Sequence, residues 1–385
     1  MSMRHQERAI RRWSRARANE RRGRGALCAL AFVVLALAGC GAASPTARHS
    51  APRATATPSA TPIPFKRPDF QAGVVFPRWG ADQYGATDTG WNQGVLDIKR
   101  QTGARWLEIV VTLYQDTLTS TTIHASDGTP TPDAVAAGIL TAKEAGFHVF
   151  VVPHLLVIHP SPKDSWGGWV SFSDPNQARA WFDGYWNALQ PYLTFAAQTG
   201  ADQFSLGNEY VGLEPAPSDL WNTLISRAHS VYPGVLTYNA NWSSLTSRPP
   251  AWMSNPLLKY IGVSAYQSLV AQPQILSEAQ IEQIWRTRFL PLVDAYGAAA
   301  HKPILLSEIG YRNSTDTLYQ PWMSTTSAPA DPQLQAAAYE GALRAALDDP
   351  QVEGIYFYAW SNGAFAPNNL PAAAVLHRIY LSPDA

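Results

Sequence analysis

The stretch FSLGNEYVG, Phe204 to Gly212, runs from an apolar segment through a glycine to Asn208 and Glu209 side by side. A strand that simply ends in a surface turn has no need of a carboxylate at that point. A second stretch repeats the pattern. In KPILLSEIGYRN, Lys302 to Asn313, the apolar run Ile304 to Leu306 leads within two residues to Glu308. Two strands that each finish on a glutamate raise the question of which architecture would bring their ends together.

Further apolar runs of similar length lie at Gly73–Phe76, Trp106–Thr112, Val149–Pro153, Val235–Tyr238, Tyr260–Ser264 and Gly354–Tyr358. Their β-branched and aromatic content suits strands buried on both faces. Amphipathic stretches separate most of them: Gly90–Thr102, Pro132–Ala145, Gln177–Thr199, Asp219–Val231, Glu278–Tyr296 and Pro332–Asp348. TPTPDAV opens one helix with a proline and an acid, and EAGF closes it at Gly146. Between the fifth and sixth strands Pro249, Pro250 and Pro256 leave room for only a turn or two. Eight strands alternating with helices predict an α/β chain folded as a (β/α)8 TIM barrel, whose strand C-termini line the active site. An open doubly wound sheet would want a glycine-rich phosphate loop after its first strand. GVVFPRWGADQYG, Gly73 to Gly85, stands there instead.

The N-terminus is of another kind. Nine arginines precede the apolar run Ala26 to Ala38, which ends in LAGC, Leu37 to Cys40. A basic region, a short apolar core and this ending predict a lipoprotein signal peptide over residues 1–39, with lipid on the Cys40 sulfur. A signal kept as an anchor is the alternative. Residues 40–68, nearly all Ala, Ser, Thr and Pro, cannot bury a core and are expected to tether the lipid to a domain spanning 69–385. The chain would then act outside the cytoplasmic membrane, lipid-anchored or secreted. Its other cysteine, Cys28, lies in the signal, so the exported domain has no disulfide, thiolate ligand or thiol nucleophile.

The full chain is charge-balanced, but without the signal 20 basic residues face 27 acidic ones, a net charge of −7. That balance excludes nucleic acid as an expected partner. Fourteen tryptophans and sixteen tyrosines suit a cleft that stacks rings on sugars. In a barrel, residues following the fourth and seventh strands face each other across the mouth. Two carboxyl groups about 5–5.5 Å apart there are what a retaining glycosidase needs, one to protonate the leaving oxygen and one to attack the anomeric carbon. Either glutamate alone could instead cap a turn. His154, ending VVPHLL, is a candidate sugar contact or brace. Trp242 in NANW and Trp79 in FPRW are candidate cleft walls, and Trp166 and Trp169 are candidates for outer subsites.

The segments TPTPDAV, AKEAGFHVFVVPHL, SLGNEYVG, LWNTLISRAHSVYPGVLTYNANW, YIGVSAYQSL, ILLSEIGYRN and GIYFYAWS together resemble the retaining glycoside hydrolases of clan A, and most of all family 113, whose known members are β-mannanases. The resemblance runs from about Phe70 to Ala364. It implies Glu209 as acid/base, Glu308 as nucleophile, Asn208 on the sugar 2-hydroxyl, Tyr266 hydrogen-bonded to the nucleophile and Trp360 beneath the reacting ring. It implies a polysaccharide or oligosaccharide substrate and endo-acting mannan cleavage, by a mechanism that needs no metal or other cofactor; a monomer is the expectation for the chain. Two segments depart from the family's pattern. KDSWGGWVSF has a glycine where an arginine is expected after its first tryptophan, and NSTDTLYQPWMSTTSAPADP, after Glu308, does not align. Both border the cleft, so another β-glycan, or a glycan-binding lipoprotein without catalysis, stays open at this level. No HExxH, P-loop, dinucleotide fingerprint or GxSxG occurs.

Overall fold

The computed structural model describes residues 67–381; the signal, Cys40 and almost all of the tether lie outside them. Eight parallel strands close into one barrel in sequence order. They are β1 (Gln71–Val75), β2 (Trp106–Gln115), β3 (His148–Val157), β4 (Gln203–Asn208), β5 (Val235–Asn241), β6 (Leu258–Ser264), β7 (Ile304–Ile309) and β8 (Val352–Tyr358). The helices are α1 (Thr89–Thr102), α2 (Pro132–Glu144), α3 (Pro175–Thr199), α4 (Ser218–Val231), α5 (Glu278–Ile284), α6 (Leu290–Ala300), α7 (Pro332–Asp348) and α8 (Pro371–Tyr380).

Each expected strand is present. β2 and β3 run three to four residues further than their apolar cores, pairing in register from Trp106↔His148 to Gln115↔Val157. The prolines between β5 and β6 permit only short 3-10 turns, at Trp242–Thr246 and Ala251–Ser254. The single helix expected over Glu278–Tyr296 is instead two, joined by a π turn at Trp285–Phe289. Pro291 supplies the reason: it has no N–H for an α-helical bond, and its ring would crowd the carbonyl one turn back. Helix α8, absent from the expected set, packs against α1 and α7 and closes the outer ring. Arg67 already belongs to the domain, donating from Nη1 to the carbonyls of Leu347 and Asp349.

The barrel interior is uneven. On one side Val75, Val110, Phe150, Val152 and Tyr356, from β1, β2, β3 and β8, form a compact apolar cluster. On the other side β5 and β7 contribute Asn239 and Ser307, fully buried, which converge on Gly262 of β6 so closely that any side chain there would collide with both. Glu108 of β2 is fully buried too. Burial, with the charge of Glu308 adding to it, raises its pKa well above the carboxylate range, so it is a neutral acid in the barrel wall.

Both glutamate-bearing strands lose their register just before the glutamate. Leu206 packs outward into the core under the helices, and strict alternation would send Asn208 the same way. The β4–β5 pairing shifts between Ser205 and Asn208, and Asn208 turns inward. In β7, Ser307 faces the interior, so alternation would point Glu308 out. Shifts between Leu306 and Ile309 on the β8 side, and between Gly262 and Ser264 on the β6 side, turn it into the mouth. Irregular register of this kind re-aims single side chains at the rims of barrels. Glu209 adds a second device, a backbone φ of 60°, in the left-handed region that residues other than glycine rarely occupy.

Candidate active site

The structure brings Asn208, Glu308, Tyr266 and His154 into one hydrogen-bonded cluster at the C-terminal mouth of the barrel, with Glu209 close enough for its charge to act on Glu308. Glu308 is 8 % exposed and Tyr266 is 6 % exposed. The Tyr266 hydroxyl donates to Glu308 Oε1 at 2.7 Å. Asn208 Nδ2 lies 3.5 Å from Glu308 Oε2 and 3.1 Å from His154 Nε2, while its Oδ1 accepts from Ser264 Oγ at 3.4 Å. His154 Nε2 is 3.6 Å from Glu308 Oε2. Burial pushes the His154 ring down to about 4, so it is neutral at physiological pH and can accept from the Asn208 amide.

Glu209 has its own donors. Asn241 Nδ2 reaches Oε1 at 2.8 Å, and Trp166 Nε1 reaches Oε2 at 2.8 Å. Asn241 is itself locked, its Oδ1 capping the next turn by accepting from the Ser243 amide at 2.9 Å. Trp166 is held by the loop after β3. Asp164, buried, accepts from the Trp166 backbone amide and from Trp169 Nε1, and the two indoles meet edge to face. Gly167 is the glycine found where family members are expected to carry arginine. Its backbone passes so near Leu155 that a Cβ would stand 2.5 Å from the Leu155 carbonyl oxygen. The close approach, which only glycine allows, is what delivers Trp166 to Glu209.

Burial raises the pKa of Glu308, the charge of Glu209 raises it further, and the donors Tyr266 and Asn208 oppose both. Burial raises Glu209 as well, against Asn241, Trp166 and Ser264. Repulsion between the two is mutual, so once one is ionised the other holds its proton. Among the described residues neither carboxyl has a lysine or arginine partner. Five residues on, Glu214 accepts from Tyr238 and Ser244 at 3.0 and 2.8 Å, and burial lifts it to about 7. Because Tyr238 also accepts from the Tyr210 amide, this third carboxyl braces the turn that carries Glu209.

The tryptophans divide. Trp166, expected in an outer subsite, touches Glu209 itself. Trp242 is half-buried at the start of the turn after β5 and lies in a stack with Trp322, ring centroids 5.7 Å apart. Trp79 is half-buried after β1. Trp360 follows β8 and is only 2 % exposed, packed into the core at the barrel rim. Asn241, Trp166 as a partner of Glu209, and Trp322 escaped the reading of the sequence. The alternation Asn239, Asn241 along β5 is the signal that could have found the first. Among the described residues no three His, Asp or Glu side chains are grouped to hold a metal.

The family model for glycoside hydrolase family 113 matches residues 81–376, with both glutamates and their partners inside the match. The chain belongs to glycoside hydrolase family 113. It is a glycoside hydrolase, and its family implies that it binds an oligosaccharide substrate. No curated protein sequence matches it. Solved structures of the family superpose on the barrel. One of a family 113 β-1,4-mannanase, in a complex, has 20 % identity and a TM-score of 0.68, covering 82 % of this chain and 99 % of its own. The family 113 β-mannanase from Alicyclobacillus acidocaldarius, bound to ManMIm, has 21 % identity and the same TM-score of 0.68, covering 81 % and 97 %. A family 5 mannosidase from Rhizomucor miehei shares the fold more distantly, at 11 % identity and a TM-score of 0.53, covering 82 % and 94 %. At these identities the superpositions establish the fold, and the family match establishes the enzyme class.

Proposed function

We propose that this family 113 enzyme is an endo-acting β-1,4-mannanase that works with retention of configuration, with Glu209 as acid/base and Glu308 as nucleophile. The observation that carries the reading is the pair of buried glutamates at the ends of β4 and β7, each with its own set of donors. Two solved relatives described as β-mannanases align over 97 % or more of their length, which supports mannan as the substrate.

The chemistry follows from the geometry. Glu308, ionised and steadied by the Tyr266 hydroxyl, attacks the anomeric carbon. Glu209, protonated because Glu308 carries the charge, gives its proton to the departing oxygen. The ester that forms removes the charge from Glu308, and with it the repulsion that kept Glu209 protonated. Glu209 is then a carboxylate, the form that its Trp166 and Asn241 donors favour, and takes a proton from the incoming water. This reading assigns the sugar 2-hydroxyl to Asn208, supported by its fixed position between His154, Ser264 and Glu308, a contact that would strengthen as charge develops on the ring.

The test is a panel of mannan, glucan, xylan and galactan, with product sizing and NMR of the first-formed anomer. Release of mannooligosaccharides with β-anomeric ends is expected. Cleavage of glucan or xylan with mannan untouched would overturn the substrate and leave the two-glutamate chemistry standing, whereas α-anomeric first products would overturn retention.

We also propose lipid anchoring outside the cytoplasmic membrane through Cys40, on the strength of LAGC and the tether that follows. Cys40→Ala is expected to leave the precursor unprocessed and unlipidated, read by mass and by labelling with a fatty-acid probe. Wild-type processing and labelling in that variant would rule the anchor out.

A further inference from the structure

The β7–α7 loop, residues 310–331, is built around a buried cation. Arg312 is 1 % exposed. Its Nη1 donates to the carbonyls of Gln320 and Met323 at 2.7 Å each, and its Nη2 pairs with Asp316 at 3.1 Å. Asp316 in turn accepts from Ser314 and Thr326 at 2.6 and 2.7 Å. The carbonyls that Arg312 gathers flank Trp322 on both sides, so the loop arrives with that indole already placed. Its ring lies nearly parallel to Trp242, 23° between planes. Trp242 directly follows Asn241, whose amide holds Glu209. A preformed pair of indoles is therefore anchored one residue along the chain from the side chain that holds Glu209.

We propose that Trp242 and Trp322 form the wall of the leaving-group side of the cleft, where the C–H face of a neutral sugar ring stacks on the outer face of the indole pair. This rests on the retaining reading above. The same wall then receives sugar acceptors in the second half of the reaction. An acceptor hydroxyl oxygen bonds to the anomeric carbon, the bond from that carbon to Glu308 breaks and returns the carboxylate, and the hydroxyl proton passes to Glu209. Water needs no wall for this step and a sugar does. Trp322 therefore governs how the covalent intermediate divides between transfer and hydrolysis.

The experiment measures that division. The enzyme turns over an aryl β-mannoside, or whichever aryl β-glycoside the wild type cleaves, in the presence of a β-1,4-linked disaccharide acceptor. Transfer product and free sugar are counted together. Both come from one intermediate, so their ratio does not depend on how much total activity a variant keeps. Trp322→Ala is expected to lower the ratio about tenfold, the effect of losing one ring face of apolar contact. Trp322→Phe, which keeps an aromatic face, should recover most of it. An unchanged ratio in Trp322→Ala, whatever the total rate, overturns the wall, because a purely structural tryptophan would move turnover and leave the ratio alone. A wild type that turns over no aryl glycoside and no glycan overturns instead the retaining reading on which the wall rests.

Discussion

Glu308→Ala is expected to abolish turnover on every substrate, while Glu209→Ala yields a protein that stalls after its first step. The contrast follows from the two environments. Apart from Glu209, which this reading assigns to proton transfer, nothing else in the cluster can attack an anomeric carbon: His154 is neutral and hydrogen-bonded to Asn208, and the remaining groups are amides, hydroxyls and an indole. Loss of Glu209 removes general acid and base catalysis, about 10²- to 10⁴-fold on a natural glycan. An aryl glycoside with an activated leaving group needs little protonation, so its glycosylation step survives and the ester on Glu308 accumulates, visible as a burst of released phenol and by intact mass. Azide, which needs no base, should restore turnover of Glu209→Ala and give the β-glycosyl azide. Rescue of Glu308→Ala with inverted product, and none of Glu209→Ala, would reverse the two roles. Unimpaired activity of both variants would place the site elsewhere.

Tyr266→Phe should be the next most damaging single change. The hydroxyl donates the shortest bond in the cluster, 2.7 Å to Glu308 Oε1, in a place almost shut off from water. A hydrogen bond to a buried charge is worth about 1.5–3 kcal/mol, so kcat/KM should fall by about 10- to 10²-fold. The pH profile carries the sign. Glu308 must be ionised to attack, and burial and Glu209 already raise it. Removing a donor to the charged form raises it further, so the acidic limb moves to higher pH and the enzyme loses most at low pH. A variant whose rate falls equally at every pH would mean that Tyr266 shapes the cleft without stabilising the charge on Glu308.

Much of this was legible in the chain. Eight apolar runs separated by helical stretches predict the barrel, and the barrel rule directs attention to strand ends, hence to Glu209, Glu308 and His154, while the family resemblance adds the roles of Asn208 and Tyr266. What was not legible depends on register. The slips in β4 and β7 decide that Asn208 and Glu308 face inward, against simple alternation, and a bulge of one residue leaves no mark in an apolar pattern. The partners of Glu209 were hidden for a related reason. Trp166 reaches it only because Gly167 lets a loop lie against β3, and Trp322 reaches Trp242 only because a buried arginine folds twenty residues that carry no periodicity. Helix α8 follows Asn368, Asn369 and Leu370 with a run of alanines too short to stand out, and its apolar face is visible only against α1 and α7.

That no lysine or arginine among the described residues partners either carboxyl bears on which glycans the site would accept. A uronic acid ring, the building block of pectin, alginate and glycosaminoglycans, would bring a second negative charge next to the one that the glutamate pair already carries, with a neutral imidazole and two amides for company. At contact distances in a poorly solvated cleft such a charge is costly and weakly screened. Uncharged hexose chains meet no such barrier. The expected result is that neutral chains in a mixed cell-wall extract are cleaved in preference to acidic ones, which sizing of the neutral and acidic products would check.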